Sequence, residues 1–237
     1  MHILVAIPAY NEEGSITDVI AQVREHLPTA DILVVDGYST DRTFKLASGA
    51  GAHVVRVPST YAIAGAVETA FLYAYRNGFE VLARMDSDGQ HHARDLARII
   101  QAVVSGWADV AVGSRYLESD SYENTLTRAI GITLFAALVS RITGKRFTDT
   151  TSGIMAVNRD VIRYVAVHHQ FDYSEVEAIV ILHRAGFNVR EVPVTMRQRT
   201  VGTSSFTTVR AFYYVFKGLL SVMLEVFRRV RPRGTEL

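Results

Sequence analysis

The chain has 237 residues, of which 49% are hydrophobic and 21% are charged, and its formal net charge is +1. This composition describes a globular domain with a substantial core, and it excludes a disordered chain and a protein that binds nucleic acid through bulk positive charge. Because the sequence contains no cysteine, disulfides and thiolate metal sites are excluded as well, and the absence fits a reducing compartment.

The sequence predicts neither a secretory signal nor a membrane-spanning helix. The apolar run near the N-terminus is short, gives way to polar residues and has no basic region before it. The longest uncharged apolar run, residues 129–140, lies between Arg128 and Arg141 and falls short of the roughly 18 residues that suggest a spanning helix.

Strands and helices alternate along the first half of the chain. Short apolar runs predict strands, and helical spacing between start and stop signals predicts helices. The predicted strands are residues 3–7, 32–35, 54–57, 81–85 and 109–112, and the predicted helices include residues 16–27, 64–76 and 93–105. Thr40 and Asp41 can cap one more helix, which runs up to the glycines that begin at position 49. The alternation indicates an α/β fold, with a mostly parallel sheet between two layers of helices.

We predict one domain over residues 1–205 and a C-terminal helical extension over residues 206–237. The extension is aromatic and aliphatic up to position 227, where only Arg210, Lys217 and Glu225 interrupt it, and it ends in four arginines. An amphipathic helix with a basic end can lie in a membrane interface and meet anionic headgroups. Burial of this helix against the domain or a partner is the alternative.

Polar clusters follow three of the predicted strands, at residues 10–13, 36–41 and 86–92. Ligands of parallel sheets bind beyond the carboxyl ends of the strands, so we expect a site there. Asp36 can accept hydrogen bonds from a base or ribose, or it can simply stabilise a turn. Asp86 and Asp88 can converge on Mg²⁺ or Mn²⁺, which would bridge the two phosphates of a nucleotide donor. A polar turn is the alternative for this pair.

Further polar clusters occur later in the chain. Arg115 follows the fifth strand and can hold phosphate through two hydrogen bonds. The small residues of 149–153 suit a tight loop close to a ligand. After a strand-like stretch at residues 189–196, two arginines, a glycine and three hydroxyl residues precede the apolar extension. This last cluster predicts an anion site for a lipid phosphate, with an exposed basic loop as the alternative.

The order of these motifs resembles glycosyltransferase family 2, which has the GT-A fold. The motifs are IPAYNEE at 7–13, VDGYSTDRT at 35–43, DSDGQH at 86–91, GSRY at 113–116, DTTSG at 149–153 and the segment 197–205. The closest resemblance is to the dolichol-phosphate mannose synthase-like branch and to bacterial relatives in surface-polysaccharide assembly. It covers about residues 1–210, and it implies a nucleotide-sugar donor with Mg²⁺ or Mn²⁺ as the cofactor.

The resemblance also implies roles for individual residues. The donor nucleotide is expected on Pro8, Ala9, Tyr10, Glu12, Asp36 and Asp86. The metal is expected on Asp86 and Asp88, of which Asp88 is the expected direct ligand. Residues expected near the sugar or the acceptor, and hence the catalytic candidates together with Asp88, are Gln90, Arg115 and Asp149. The acceptor phosphate is expected on Arg197, Arg199 and Ser204.

Three departures from the family pattern affect this assignment. A second Asp is common where Gly37 stands, a Gly-rich stretch is common at residues 61–65, and prolines are common at the places of Ser174 and Val176. The last departure leaves the choice of acceptor open.

We expect inversion at the anomeric carbon and a polyprenyl-phosphate-type acceptor, at the cytoplasmic face of a membrane to which the protein is peripherally bound. Such a phosphate has a second pKa of about 6 and attacks in its ionised form. A sugar hydroxyl on a lipid diphosphate is the alternative acceptor, and it needs a general base such as Asp149, Glu175 or Glu177. A separate small membrane protein that docks on the extension is a further hypothesis.

Two other classes of protein compete with this interpretation. A nucleotidyltransferase would show a Gly-rich basic loop after the first strand, where this chain has the acidic PAYNEE. A non-catalytic scaffold that binds nucleotide sugars would not require Asp86 and Asp88, and both are present.

Overall fold

The structure, a computed structural model, describes residues 1–58, 62–117, 126–168, 175–197 and 232–234. The strands are β1 (Ile3–Ala9), β2 (Asp31–Asp36), β3 (His53–Arg56), β4 (Val81–Arg84), β5 (Val110–Ser114), β6 (Met155–Asn158) and β7 (Val189–Pro193). The helices are α1 (Ile16–His26), α2 (Thr43–Gly49), α3 (Ala62–Arg76), α4 (Ala93–Val104), α5 (Leu126–Thr143), α6 (Arg159–His168) and α7 (Glu175–Arg184).

All the described strands form one sheet, in the order β3-β2-β1-β4-β6-β5-β7. Neighbouring strands are parallel except at β6, which is antiparallel to both β4 and β5. The predicted mostly parallel sheet is therefore confirmed, and its first five strands lie within two residues of their predicted bounds.

The core has two layers because successive side chains of a strand point to opposite faces of the sheet. On β1, Leu4 and Ala6 belong to the core layer that contains buried residues of α3, α5, α6 and α7, while Val5 and Ile7 belong to the layer with buried residues of α1, α2 and α4. Helix α4 shows how the sequence specifies this layer, since its buried apolar residues recur at helical spacing. Those residues are Leu96, Ile99, Ile100 and Val103.

The start of α2 differs from the prediction. Its N-cap residue is Arg42, which makes no capping hydrogen bond through its side chain. The Asp41 carboxylate nevertheless accepts the Thr43 N–H at 2.9 Å, so it still satisfies a donor of the first turn. Thr40 does not cap the helix; its N–H and hydroxyl donate to Oδ1 of Asn11 instead.

Among the described helices, none has both the length and the apolarity required to cross a bilayer. Most of the predicted extension, residues 206–231, lies outside the described residues, as does the predicted domain boundary at 205. Both therefore stay predictions.

Candidate active site

The fold gathers the predicted polar clusters at one edge of the sheet, where β1, β2, β4, β5 and β7 end. Strand register makes this explicit: Ala9 of β1 lies beside Asp36 of β2. Ala6 lies beside Arg84, so that Asp86 begins the loop just beyond β4. Ser114 of β5 lies beside Pro193 of β7 in the same way.

The loop after β1 is tied to the loop after β2 by hydrogen bonds. The Asn11 N–H donates to Oγ of Ser39 at 2.9 Å, and the Glu12 N–H donates to Oγ1 of Thr43 at 2.8 Å. Asn11 has a φ of 55°, in the left-handed region that Asn tolerates better than most residues. Tyr10, by contrast, is 55% exposed and stands at the mouth of the site.

Asp36 is completely buried. One of its carboxylate oxygens accepts the Ser39 N–H at 3.1 Å, and the other accepts Nε–H of Arg56 at 3.0 Å. The Arg56 guanidinium also stacks on Phe44, 4.1 Å from the ring centroid. In this conformation the Asp36 carboxylate has no surface that a ligand can touch.

Asp86 lies between Arg84 and the ring of His91, just beyond β4. Its Oδ1 is 3.4 Å from Nη2 of Arg84, and its Oδ2 is 3.5 Å from Nε2 of His91. Burial alone raises the pKa of the Asp86 carboxyl, but the nearby His91 and Arg84 outweigh burial and hold that pKa well below its usual range. The carboxylate is therefore ionised near neutral pH, and 37% of the side chain is exposed.

The loop that follows positions Asp88 beside Asp86. Gly89 has a φ of 73°, which favours glycine, and it turns the chain so that the Gln90 N–H donates to Oδ1 of Asp88 at 3.0 Å. On the other side, Gly153 lies against Asp86: a Cβ added there would be 2.7 Å from Oδ1 and 2.8 Å from Cγ of Asp86. The loop at residues 149–153 is thus a wall of the acidic site.

The oxygen ligands at this site fit a hard divalent cation. Asp86 and Asp88 offer carboxylate oxygens, and Mg²⁺ is commonly held by one or two carboxylates together with substrate phosphates and water. Among the described residues, no three acidic or histidine side chains converge on one point. The protein would therefore supply two carboxylate ligands, and the diphosphate of a nucleotide donor would supply further oxygen ligands. His91 adds to this site a ring that is 2% exposed, and neither of its nitrogens has a hydrogen-bond partner within the described part of the chain.

Arg84, on β4, connects the acidic pair to the start of α7. Its Nη1 lies 3.0 Å from Oε1 of Glu175, and its side chain is almost fully buried. Burial alone lowers the pKa of Arg84, but the charges of Glu175 and Asp86 outweigh it and raise that pKa. Glu175, a predicted base candidate, is therefore engaged in an ion pair, and Glu177, another candidate, is buried.

Arg115 and Asp149 are brought together by the fold, and they bind each other. Nε and Nη2 of Arg115 donate to the two oxygens of Asp149 at 2.5 and 2.8 Å, and both residues are buried. Nη2 of Arg115 also donates to Oγ1 of Thr151 at 2.8 Å. Both carboxylate oxygens of Asp149, the third base candidate, are therefore already occupied.

Glu191, on β7, binds the backbone of the same loop. Its carboxylate accepts the Asp149 N–H at 2.6 Å and the N–H of Thr148 at 2.9 Å. Burial raises the pKa of the Glu191 carboxyl, although these hydrogen bonds lower it in part.

Arg197 is joined to the acidic loop by a short antiparallel bridge. His91 pairs with Met196, the Arg197 N–H donates to the Gln90 carbonyl at 2.8 Å, and Nε2 of Gln90 donates to the Arg197 carbonyl at 3.2 Å. The side chain of Arg197 is exposed at this edge. Arg199 and Ser204, the other predicted phosphate ligands, lie outside the described residues.

Comparison with known proteins identifies the family. The family model described as glycosyl transferase family 2 matches residues 4–181. The chain belongs to glycosyltransferase family 2. It is 33% identical to polyprenol monophosphomannose synthase of Mycolicibacterium smegmatis, over 86% of this chain and 80% of that protein. It is 31% identical to undecaprenyl-phosphate mannosyltransferase of Micrococcus luteus, over 87% of this chain and 88% of that protein.

Solved structures confirm the GT-A fold of this glycosyltransferase. Glucosyl-3-phosphoglycerate synthase from Mycobacterium tuberculosis, in complex with UDP, superposes with a TM-score of 0.73 at 19% identity, over 96% of this chain and 81% of that chain. The same synthase in complex with Mn²⁺, UDP and glucosyl-3-phosphoglycerate gives a TM-score of 0.70 at 17% identity, over 94% of this chain and 79% of that chain.

The glycosyltransferase thus has most of its predicted site residues at one edge of the sheet, although their individual roles stay predictions. Pro8 and Ala9 end β1, and Glu12 is tied to the start of α2. Residues that the sequence analysis did not single out are Arg56, Arg84, Asp95 and Glu191. Each is a charged side chain within or next to an apolar segment, and each has at least one partner twenty or more positions away along the chain.

Proposed function

We propose that this glycosyltransferase moves a hexosyl group from a nucleotide-diphosphate sugar to a polyprenyl phosphate. The observation that carries the proposal is the pair of hydrogen bonds between Gln90 and the backbone of Arg197, which places the exposed Arg197 next to the loop of Asp86 and Asp88. A site for the leaving diphosphate and a cation suited to an acceptor phosphate are therefore adjacent. The names of the two relatives above state polyprenol and undecaprenyl phosphates, which agrees with this acceptor class.

Asp86 and Asp88 are the residues that would hold the metal. When bound, Mg²⁺ or Mn²⁺ would neutralise the charge that develops on the leaving diphosphate. The low pKa of Asp86 keeps its carboxylate available near neutral pH. Gly153 and Arg84 keep the Asp86 side chain in one position. The backbone N–H of Gln90 donates a hydrogen bond to the Asp88 carboxylate.

The transfer that we propose is a single displacement with inversion. An oxygen of the acceptor phosphate forms a bond to the anomeric carbon, the bond from that carbon to the diphosphate breaks, and the nucleoside diphosphate leaves with the electron pair. No proton has to be removed, because the attacking phosphate is already largely ionised near pH 7.

The state of the base candidates supports this acceptor. Attack by a sugar hydroxyl requires a general base within hydrogen-bond reach, but Asp149 is paired with Arg115 and Glu175 is paired with Arg84. We propose that Arg115 and Asp149 shape the wall of the site and that Arg197, with Arg199 and Ser204, holds the acceptor phosphate.

We also propose that the enzyme works as a peripheral protein at the cytoplasmic face of a membrane. The apolar and basic composition of residues 206–237 supports contact with anionic lipid. A small membrane protein that docks on this extension stays a further hypothesis.

A donor panel tests the proposed reaction. Purified protein would be incubated with Mg²⁺ or Mn²⁺, a short polyprenyl phosphate and one nucleotide sugar at a time, and lipid-linked sugar and released nucleotide would be measured. We expect lipid-linked sugar from one donor and none with Asp88→Ala. Asp160→Ala is the matched control, because Asp160 is exposed at the start of α6, beyond the opposite end of the sheet. Nucleotide binding without any transfer to the lipid phosphate would contradict the proposal.

A further inference from the structure

At this edge of the sheet, Arg56 covers the buried carboxylate of Asp36. The Asp36 carboxylate is 0% exposed, with one oxygen accepting the Ser39 N–H and the other accepting Nε–H of Arg56. The Arg56 side chain, in contrast, is 39% exposed. A ligand at this point of the edge therefore meets the guanidinium, and the carboxylate lies behind it.

Arg56 is held rigidly for an exposed arginine. Its backbone pairs with Asp36 in the sheet, its Nε–H is bound to that carboxylate, and its guanidinium packs on Phe44 at 4.1 Å and near Tyr38 at 5.4 Å from the ring centroids. A guanidinium fixed in this way loses less conformational entropy when it binds a ligand than a free side chain would.

The terminal nitrogens of Arg56 have donor groups left for a ligand. Within the part of the chain that the structure describes, its only hydrogen bond runs from Nε to Asp36, so the N–H groups of Nη1 and Nη2 have no protein acceptor. Two exposed aromatic rings stand at the same edge, Tyr10 at 55% and Tyr38 at 54%. A flat base can stack on rings of this kind while its edge meets the guanidinium.

The chemistry of arginine selects among bases. A guanidinium only donates hydrogen bonds. Guanine presents O6 and N7 as acceptors, and uracil and thymine present O4, whereas adenine and cytosine carry an amino group at the corresponding position. Arg56 would therefore pair with a keto base and would meet a second donor on an amino base.

We infer that Arg56 is a specificity-determining residue that selects a donor nucleotide whose base carries a carbonyl oxygen, not an amino group, at C6 of guanine or at C4 of uracil or thymine, and that Asp36 is its positioning residue. This rests on the proposed function, because it assumes that a nucleotide donor binds at this edge.

Calorimetric titration with GDP, UDP, ADP, CDP and inorganic pyrophosphate, in the presence of Mn²⁺, tests the inference. We expect the wild-type protein to bind GDP or UDP on the order of 10- to 100-fold more tightly than ADP and CDP. In Arg56→Met this ratio should fall close to one, through weaker binding of the keto bases, while the pyrophosphate affinity stays unchanged. Arg24→Met is the matched control, since Arg24 is an exposed arginine on α1 that donates to the Gly51 carbonyl.

A double-mutant cycle tests the role of Asp36. Asp36→Asn should lower the keto-over-amino ratio in the wild-type background and should have no further effect on it in the Arg56→Met background. Should Asp36→Asn fail to fold, as judged by circular dichroism, Arg56→Lys replaces it. This variant keeps the charge but loses the planar fork, so the ratio should fall while pyrophosphate affinity is kept.

Two results would overturn the inference and leave the proposed function intact. One is an equal loss of affinity for all four nucleotides and pyrophosphate in Arg56→Met, which would indicate a general electrostatic role. The other is an unchanged ratio in that variant. Failure of the wild-type protein to bind any nucleotide would instead overturn the proposed function, and this inference with it.

Discussion

Asp86 is fixed by its neighbours before any ligand binds. Arg84 and His91 lie 3.4 and 3.5 Å from its two oxygens, and the backbone of Gly153 closes the third side. This arrangement orders a carboxylate that would otherwise have several rotamers, and a preordered ligand binds its cation with a smaller entropic cost.

Gly153→Ala should displace Asp86. The added methyl group would overlap the carboxylate, so we expect a loss of about 1–3 kcal/mol in unfolding free energy from overpacking and a clear loss of Mn²⁺ affinity. Urea unfolding and metal titration would measure the two effects. Gly49→Ala is the control, because a Cβ at Gly49 meets nothing within 4 Å. Metal affinity equal to that of the wild type would show that Gly153 does not position Asp86.

The sequence predicted the acidic pair but not the residues that hold it. Asp86 and Asp88 follow a strand in a short polar motif, so local pattern was sufficient to find them. Arg84 lies within the apolar strand β4, and its partner Glu175 begins a helix more than ninety positions later. No local pattern links two such residues, because only the folded sheet brings them together.

At the scale of the elements, two carboxylates hold β7 and the segment between β7 and Arg197 in place, one from each side. Glu191 accepts hydrogen bonds from the loop at Thr148 and Asp149, and Asp95 of α4 accepts the N–H and hydroxyl of Thr195, both at 2.9 Å. These contacts fix the path of the chain between β7 and Arg197. The position of Arg197, the proposed acceptor ligand, therefore depends on two carboxylates outside the site, of which Asp95 is buried and Glu191 is half-buried.

Glu191→Gln should change how stability depends on pH. The folded pKa of Glu191 is raised above its ordinary 4.5, so its contribution to stability is fully present below that value and is lost as pH rises through the folded pKa. Glutamine does not titrate. The unfolding free energy of the wild type minus that of the variant should therefore fall as pH rises from below 4.5 towards neutrality, as measured by urea unfolding at several pH values.

Glu25→Gln provides the control for this experiment, because Glu25 is exposed on α1. A difference between wild type and Glu191→Gln that is constant with pH, or that grows as pH rises, would contradict the account of Glu191.

The elements of the first half could be predicted because each strand is separated from the next helix by turn residues. Strand β6 was missed for the opposite reason. It has four residues, Met155–Asn158, and it runs directly into α6 at Arg159 with no turn between them. Its antiparallel insertion between β4 and β5 is a property of the whole sheet, and no periodicity in four residues specifies it.

At the scale of the whole molecule, the described residues beyond β7 return to the domain. Arg197 lies at the site edge, whereas the Arg233 N–H donates to the Ala185 carbonyl at 2.8 Å and its Nη1 lies 3.3 Å from Oδ2 of Asp109. Asp109 and Ala185 precede β5 and β7, so they lie at the opposite edge. Arg233, part of the predicted basic end, is thus ion-paired with Asp109, while 53% of its side chain is exposed.

Deletion of residues 206–237 should reduce binding to membranes. If the apolar extension supplies the contact, co-sedimentation with vesicles that contain anionic lipid should fall in the truncated protein, and so should transfer to a vesicle-bound acceptor. Arg233→Ala is the control, since it removes the ion pair with Asp109 but keeps the extension. Full recovery with the vesicles together with full activity after deletion would contradict the proposed membrane contact.

We propose that the acceptor is a lipid phosphate rather than a sugar hydroxyl. The most direct measurement is the initial rate of transfer from the preferred donor to polyprenyl phosphate and, in parallel, to a polyprenyl diphosphate that already carries a sugar. We expect rapid transfer to the first lipid, with the new sugar bound through the single phosphate, and little transfer to the second. Preferential transfer to the sugar hydroxyl of the second lipid would contradict it.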